Sequence, residues 1–198
     1  MPKARSGERR QEILQTLVRM LEQNRGEHIT TAALAKQVGV SEAALYRHFS
    51  SKGKMLEALI EFIEETIFTR VNLILVEESQ VDRRVQQIMV LLLGFAAKNP
   101  GITRLMQGDV LVGENKRLRT RVSQLFDRLE TQLKQILREG ELQGNGRIPV
   151  SEAASLLLAV AEGRIAQFVR SEFRVPPMDG WPEQWAMLHS GLFGVDGH

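Results

Sequence analysis

Residues 30 to 49, Thr30-Thr-Ala-Ala-Leu-Ala-Lys-Gln-Val-Gly-Val-Ser-Glu-Ala-Ala-Leu-Tyr-Arg-His-Phe49, constrain this chain more than any other stretch. They predict two short helices joined by a tight turn. Thr30 or Thr31 can cap the first, because a hydroxyl there accepts a bond from an unpaired N–H of the opening turn. Leu34 and Val38 share one face at i, i+4 spacing. Gly39 supplies the positive φ that ends a helix sharply. Ser41 restarts the chain as an N-cap, and the second helix turns Leu45 and Phe49 inward. That leaves Glu42, Ala43, Ala44, Tyr46, Arg47 and His48 to point elsewhere, and in a helix-turn-helix unit such side chains meet the major groove of DNA.

Small residues at Ala43 and Ala44 let the backbone approach the bases, and an alanine methyl can touch a thymine methyl. Tyr46, His48 and Lys52, with the hydroxyl of Thr30 or Thr31, are of the types that hold a module on phosphate while carrying little sequence information. An ordinary helical hairpin with glycine in its turn is the plainer alternative. Agreement of both caps, the turn glycine and both apolar pairs favours DNA.

Charge supports the same reading once it is split. The net charge of +2 hides ten Lys or Arg against five Asp or Glu in residues 1–54, and sixteen against nineteen in residues 55–198. The basic excess is therefore concentrated beside the groove-reading helix, where attraction to phosphate requires it. Hydrophobic residues at 43% and charged residues at 25% are those of a soluble globular protein. The absence of cysteine excludes disulfides and thiol catalysis and weakens any case for structural zinc, so no metal or cofactor is expected. Met1 to Arg10 is polar and basic with no apolar core following it, and the apolar run Ile88 to Phe95 is far short of the ~20 residues that span a bilayer. A cytoplasmic location is expected.

Along the chain the pattern is all-α. A basic arm of about eight residues carries Lys3 and Arg5 and continues to Arg9 and Arg10; it either lies along DNA or stays a solvated tail. A first helix runs to about Gln23 with Ile13, Leu14, Leu17, Val18 and Leu21 in one stripe, and packs on the hairpin to make a three-helix head. A long helix from Ser51 to about Val76, a second reaching Lys98, a short one over 102–107, a third long one over 117–138 and two apolar helices after Ser151 and Pro182 form the body. Ser151 is a candidate cap, and Gly140, Gly144, Gly146 and Pro149 mark a loop. The outward Arg119, Arg121, Arg128, Lys134 and Arg138, and the acidic set Glu57, Glu61, Glu64 and Glu65, read as solvated faces. The terminal pair, with Phe168 at its centre, carries more apolar surface than one core needs and reads as a dimer seam, with plain core as the alternative. The expected division is a helix-turn-helix DNA-binding domain at 1–52 and a helical dimerisation and partner-binding domain at 53–198.

The head, with Val38-Gly-Val-Ser-Glu-Ala-Ala-Leu-Tyr-Arg-His-Phe49 and Lys52, resembles the DNA-binding domain of the TetR-type regulators, all-helical homodimers. Ile60-Glu-Phe-Ile-Glu-Glu65, Thr69-Arg-Val-Asn-Leu-Ile-Leu75, Leu91-Leu-Leu-Gly-Phe95, Asn99-Pro-Gly-Ile-Thr-Arg104, Gln124-Leu-Phe-Asp-Arg-Leu-Glu130 and Phe168-Val-Arg-Ser-Glu-Phe173 resemble the nucleoid occlusion branch of that family. The resemblance implies binding to palindromic chromosomal sites, by one or two dimers per site. It further implies engagement of the C-terminal tail of the tubulin-like division protein FtsZ in a groove between the first two body helices. Residue by residue, it assigns that groove Phe62, Arg70, Leu91, Gly94 and Asn99, with Lys98 where the family carries Arg, a change that keeps charge and loses a planar fork. Read from spacing alone, Phe62 is equally a core residue.

Two other classes compete. A ligand-relieved repressor has the same head and a body hollowed for a small molecule, which segments 88–96 and 156–169 could line. An enzyme needs convergent catalytic groups, whereas His28, His48, His189 and His198 are scattered and neither an HExxH nor a phosphate-cradling glycine motif occurs.

Overall fold

The computed structural model describes residues 6–23, 29–111, 113–114, 116–142 and 148–194. Within them the chain folds into α1 (Ser6–Gln23), α2 (Thr31–Val38), α3 (Glu42–Tyr46), α4 (Lys52–Glu77), α5 (Val81–Lys98), α6 (Pro100–Gln107), a 3-10 turn (Asp109–Leu111), α7 (Lys116–Leu142), α8 (Val150–Arg170) and α9 (Trp181–Leu192), with no strand among the described residues. None of these helices is by itself long and apolar enough to cross a membrane. Contacts group the chain into two compact units: the residues up to Ile63 with Asn99–Val122, and Glu64–Lys98 with the residues from Ser123 onward.

In the first unit α1 packs on α2 and on α6. Ile13 and Leu17 of α1, at the i, i+4 spacing of an amphipathic stripe, Leu45 of α3, and Met55 and Ile60 of α4 are wholly buried. The α1–α6 contact is backbone on backbone: a Cβ at Gly101 would sit 2.2 Å from the Val18 carbonyl oxygen and 3.1 Å from the Glu22 nitrogen. Three residues later Arg104 is buried, and its Nη1 donates to the Leu21 carbonyl at 2.8 Å. That carbonyl belongs to the last turn of α1, whose oxygens have no helical partner and carry the negative end of the dipole. Arg104 Nε and Nη2 donate to Asp109 Oδ2 at 2.8 and 2.7 Å, so its charge is neutralised where it is buried.

In the second unit α5 packs on α8, with Leu92, Leu93 and Ala96 on one and Leu157, Ala161 and Ile165 on the other excluded from solvent. Arg84 closes one corner: Nη1 donates to Glu139 at 2.6 Å, Nε to the Glu78 carbonyl and Nη2 to the Leu75 carbonyl. His189 of α9 reaches Asp82 of α5 at 3.1 Å.

Several expectations change. Arg9 and Arg10 lie inside α1, not on an arm, and Arg10 stacks 4.4 Å over the Phe49 ring; Lys3 and Arg5 fall outside the described residues. The short helix begins at Pro100, because proline at the first helical position has no N–H to waste and the φ a helix needs. Gly140 lies within α7, where a Cβ would meet Val81 Cγ1 at 2.9 Å; Gly144 and Gly146 are outside the described residues. Ser151 does not cap α8: the helix starts at Val150, and Pro149 stands at the cap with no side-chain bond. Arg128 is not merely solvated, since its guanidinium lies 3.8 Å over the Phe68 ring. Phe168 is 4% exposed and stacks on Phe173 at 5.1 Å, so it belongs to the chain's own core; the apolar side chains that α8 and α9 leave uncovered are Leu156 and Met187.

Gly101→Ala forces backbone apart where no side chain can yield. It should cost about 1–3 kcal/mol, as overpacking does, read as a lower urea midpoint at unchanged far-ultraviolet dichroism. An unchanged midpoint would show that α1 and α6 separate freely.

Candidate functional site

The helix-turn-helix assembles through its caps. Thr30 stands in extended conformation and its Oγ1 accepts from Ala33 N at 3.1 Å, so Thr30 and not Thr31 is the cap. At the other end Gly39 adopts φ 78°, Gly39 N donates to the Lys36 carbonyl and Val40 N to the Ala35 carbonyl. That paired pattern is the Schellman closure, which satisfies two orphan carbonyls and needs the left-handed residue. Ser41 then caps α3, with Oγ accepting from Ala44 N at 3.2 Å. Leu34 and Leu45 are buried beneath the turn.

The outward residues are joined to one another. Tyr46 OH donates to Thr31 Oγ1 at 3.2 Å, and Thr31 Oγ1 donates to Glu42 Oε2 at 2.9 Å. This chain of bonds ties the first turn of α2 to both ends of α3. Ala43, Tyr46 and Arg47 are exposed, while Ala44 and His48 are half-buried. Ser51 caps α4 by accepting from Lys54 N at 3.2 Å, which sets Lys52 at the first helical position. Lys52 Nζ pairs with Glu114 at 3.0 Å.

Glu57 departs from its expected solvated role. Lys54 lies 2.5 Å away, Arg117 3.3 Å and Arg121 3.9 Å. The hydrogen bond from Lys54, with the charges of Lys54, Arg117 and Arg121, holds the Glu57 carboxyl below the usual carboxylate value against a partial desolvation.

None of the six residues assigned to partner binding lies in a core. Phe62 is 47% exposed, Arg70 and Lys98 are exposed, and Leu91, Gly94 and Asn99 are half-buried. In the first unit Phe62 and Asn99 line a cleft formed by α1, α4 and α6. In the second, Arg70 belongs to α4 and Leu91, Gly94 and Lys98 to α5. Sequence reasoning passed over Arg104, Asp109 and Glu114. Arg104 carried a signal, since a charge at helical spacing among Ile102, Leu105 and Met106 must find a buried partner.

A three-helix head with a capped, glycine-closed turn on an all-helical body defines a TetR-type DNA-binding regulator. Residues 13–59 match the family model described as bacterial regulatory proteins, tetR family, and residues 79–192 match the SlmA-like tetracyclin repressor-like C-terminal domain. The chain is 57% identical to the nucleoid occlusion factor SlmA of Marinomonas sp. (strain MWYL1) over 95% of its own length and 96% of the relative's. It is 58% identical to that of Shewanella pealeana over 93% and 94%. The fold is similar to that of the fatty acid degradation regulator FadR from Bacillus halodurans, with a TM-score of 0.79 at 16% identity over 96% of this chain and 98% of that one. The chain belongs to the SlmA family of nucleoid occlusion factors.

Ser41→Ala removes the α3 cap. It should cost about 1 kcal/mol and raise the exchange rate of the Ala44 amide, measured by hydrogen exchange, with residues of α8 unaffected.

Proposed function

We propose that this protein, as a homodimer held on palindromic chromosomal sites, binds the C-terminal tail of FtsZ and so antagonises division-ring assembly over the nucleoid. Residues 1–52 address the DNA and residues 53–198 carry dimerisation and the partner. On the DNA side, Thr30 and Ser41 shape the unit through their caps. Thr31, Glu42 and Tyr46 hold α3 against α2, Ala43 and Ala44 admit the backbone to the groove, and Arg47, His48 and Lys52 face phosphate. On the partner side, Phe62, Arg70, Leu91, Gly94, Lys98 and Asn99 receive the tail. The exposed apolar side chains of α8 and α9, Leu156 and Met187, make the dimer contact.

The observation that carries the partner reading is Phe62. Its spacing along α4 is that of the core residues Leu59, Ile60 and Ile63, yet nearly half of it meets solvent. An exposed aromatic beside a cleft is the surface feature that recognition of an apolar peptide side chain uses.

Lys52→Ala should weaken binding to specific and random duplexes alike. It should also flatten the plot of log K against log salt by about 0.9, one phosphate contact's share; a loss confined to the specific site contradicts a phosphate role. Arg70→Asp tests the partner half. A tail carrying carboxylates loses a charge-assisted contact of about 1.5–3 kcal/mol. The variant should keep operator affinity and its thermal midpoint, lose binding of the labelled tail peptide by fluorescence anisotropy, and no longer halt division when overproduced. Full tail binding by the variant would remove Arg70 from the site.

A further inference from the structure

Lys52 opens α4, and its ammonium already has an anion. Nζ lies 3.0 Å from Glu114 Oε1, with 23% of the lysine side chain and 20% of the glutamate side chain open to solvent. The neighbouring cations have a different partner, since Lys54, Arg117 and Arg121 all surround Glu57. Glu114 is presented by a connection whose backbone is fixed. Asp109, near its start, is gripped by Arg104, and Leu111 is wholly buried. Gly113 adopts φ 84°, which glycine takes without strain, and Glu114 N donates to the Leu111 carbonyl at 3.1 Å. On the facing side Gly53 leaves the first turn of α4 bare, where a Cβ would lie 3.8 Å from Glu114 Oε2. The carboxylate is therefore aimed at the start of α4 by the backbone on both sides.

We propose that Glu114 is a built-in brake on DNA binding, an intramolecular anion that holds the ammonium of Lys52 and competes with DNA phosphate for it. The inference rests on the phosphate role of Lys52 proposed above and adds a residue from outside residues 1–52 to the control of DNA affinity. Folding gains little from the pair, because a partly exposed Lys–Glu pair contributes little to stability. Its effect falls on what else Lys52 can hold. An ammonium has three donors, so a phosphate oxygen can reach it while the carboxylate stays. Two anions on one ammonium repel each other, so either the carboxylate leaves or the phosphate contact is weakened. Both courses subtract from phosphate affinity. The subtraction is blind to base sequence, since phosphate contacts carry none. Phosphate contacts supply essentially all of non-specific binding, so the brake shortens the protein's stay on random DNA.

The test uses the full-length protein and two labelled duplexes, one carrying the operator and one of random sequence. Glu114→Gln keeps the size of the side chain and removes its charge. It should tighten both duplexes by about two- to fivefold, the range that one partly exposed ion pair supplies. The thermal midpoint should be that of the parent, and a merely structural role for Glu114 predicts the opposite sign, weaker binding. Removing a negative charge also raises attraction to DNA at long range, so the deciding measurement is a double-mutant cycle. In the Lys52→Ala background, Glu114→Gln should add nothing. An undiminished gain in that background overturns the brake. So does a Glu114→Gln protein that binds as the parent does, or more weakly, while Lys52→Ala weakens both duplexes; the phosphate role of Lys52 then stands. If Lys52→Ala itself binds as the parent does, the phosphate role falls and the brake falls with it.

Discussion

The close approach of α6 to α1 at Gly101 is the constraint on which the first unit depends. Helix axes usually stand 8–10 Å apart because side chains separate them. Here the Val18 carbonyl oxygen occupies the place where any Cβ at position 101 would go, so the two backbones touch. Arg104 adds to this contact by bonding the end of α1 through the Leu21 carbonyl. The guanidinium is costly to bury, and Asp109 offsets that cost with a two-nitrogen grip on one oxygen. Removing any one member leaves either a buried charge or an orphan carbonyl. The head is therefore α1–α3 fastened to an element 83 residues further along the chain from its contact on α1, not a detachable three-helix piece.

Electrostatics around the reading unit follow a consistent pattern. Three of its cations have an assigned anion: Lys52 with Glu114, Lys54 with Glu57, Arg9 with Glu12. Exposed pairs of this kind contribute little to stability. Their effect is on the cations themselves, which the carboxylates hold at set positions.

Much of this was legible in the sequence, and the failures have physical causes. Thr30, Gly39 and Ser41 each perform the local task that their type and position imply, because caps and left-handed turns are decided within four residues. Pro100 and Gly101 fall in the gap that the sequence pattern leaves between Lys98 and residue 102, and are the start of α6 and its closest packing point, since the same residue types end one helix and begin the next. Gly140 looked like loop and is a close contact with Val81. Phe168 looked like seam and is core, because periodicity reports that a face is apolar and is silent on what covers it. Glu57 shows the same limit for charge: an acidic run on one helix gives no sign that Arg117 and Arg121 will fold against it.

Phe62 shows what periodicity gains when it is set beside burial. A helix of twenty-six residues whose stripe includes Leu59, Ile60, Ile63, Ile67 and Val71 could have buried an aromatic at position 62 with one more turn of coverage. Leaving it nearly half exposed forgoes part of the about 1.5–3 kcal/mol that full burial of such a side chain contributes. Folding alone does not select that arrangement. The ring borders a hollow whose opposite side is α1, and α1 is the helix fixed by Gly101 and Arg104. The rigidity that the α1–α6 contact gives to the reading unit thus also holds the hollow open beside Phe62. A preformed apolar space next to an exposed aromatic needs no ordering before an apolar group enters it.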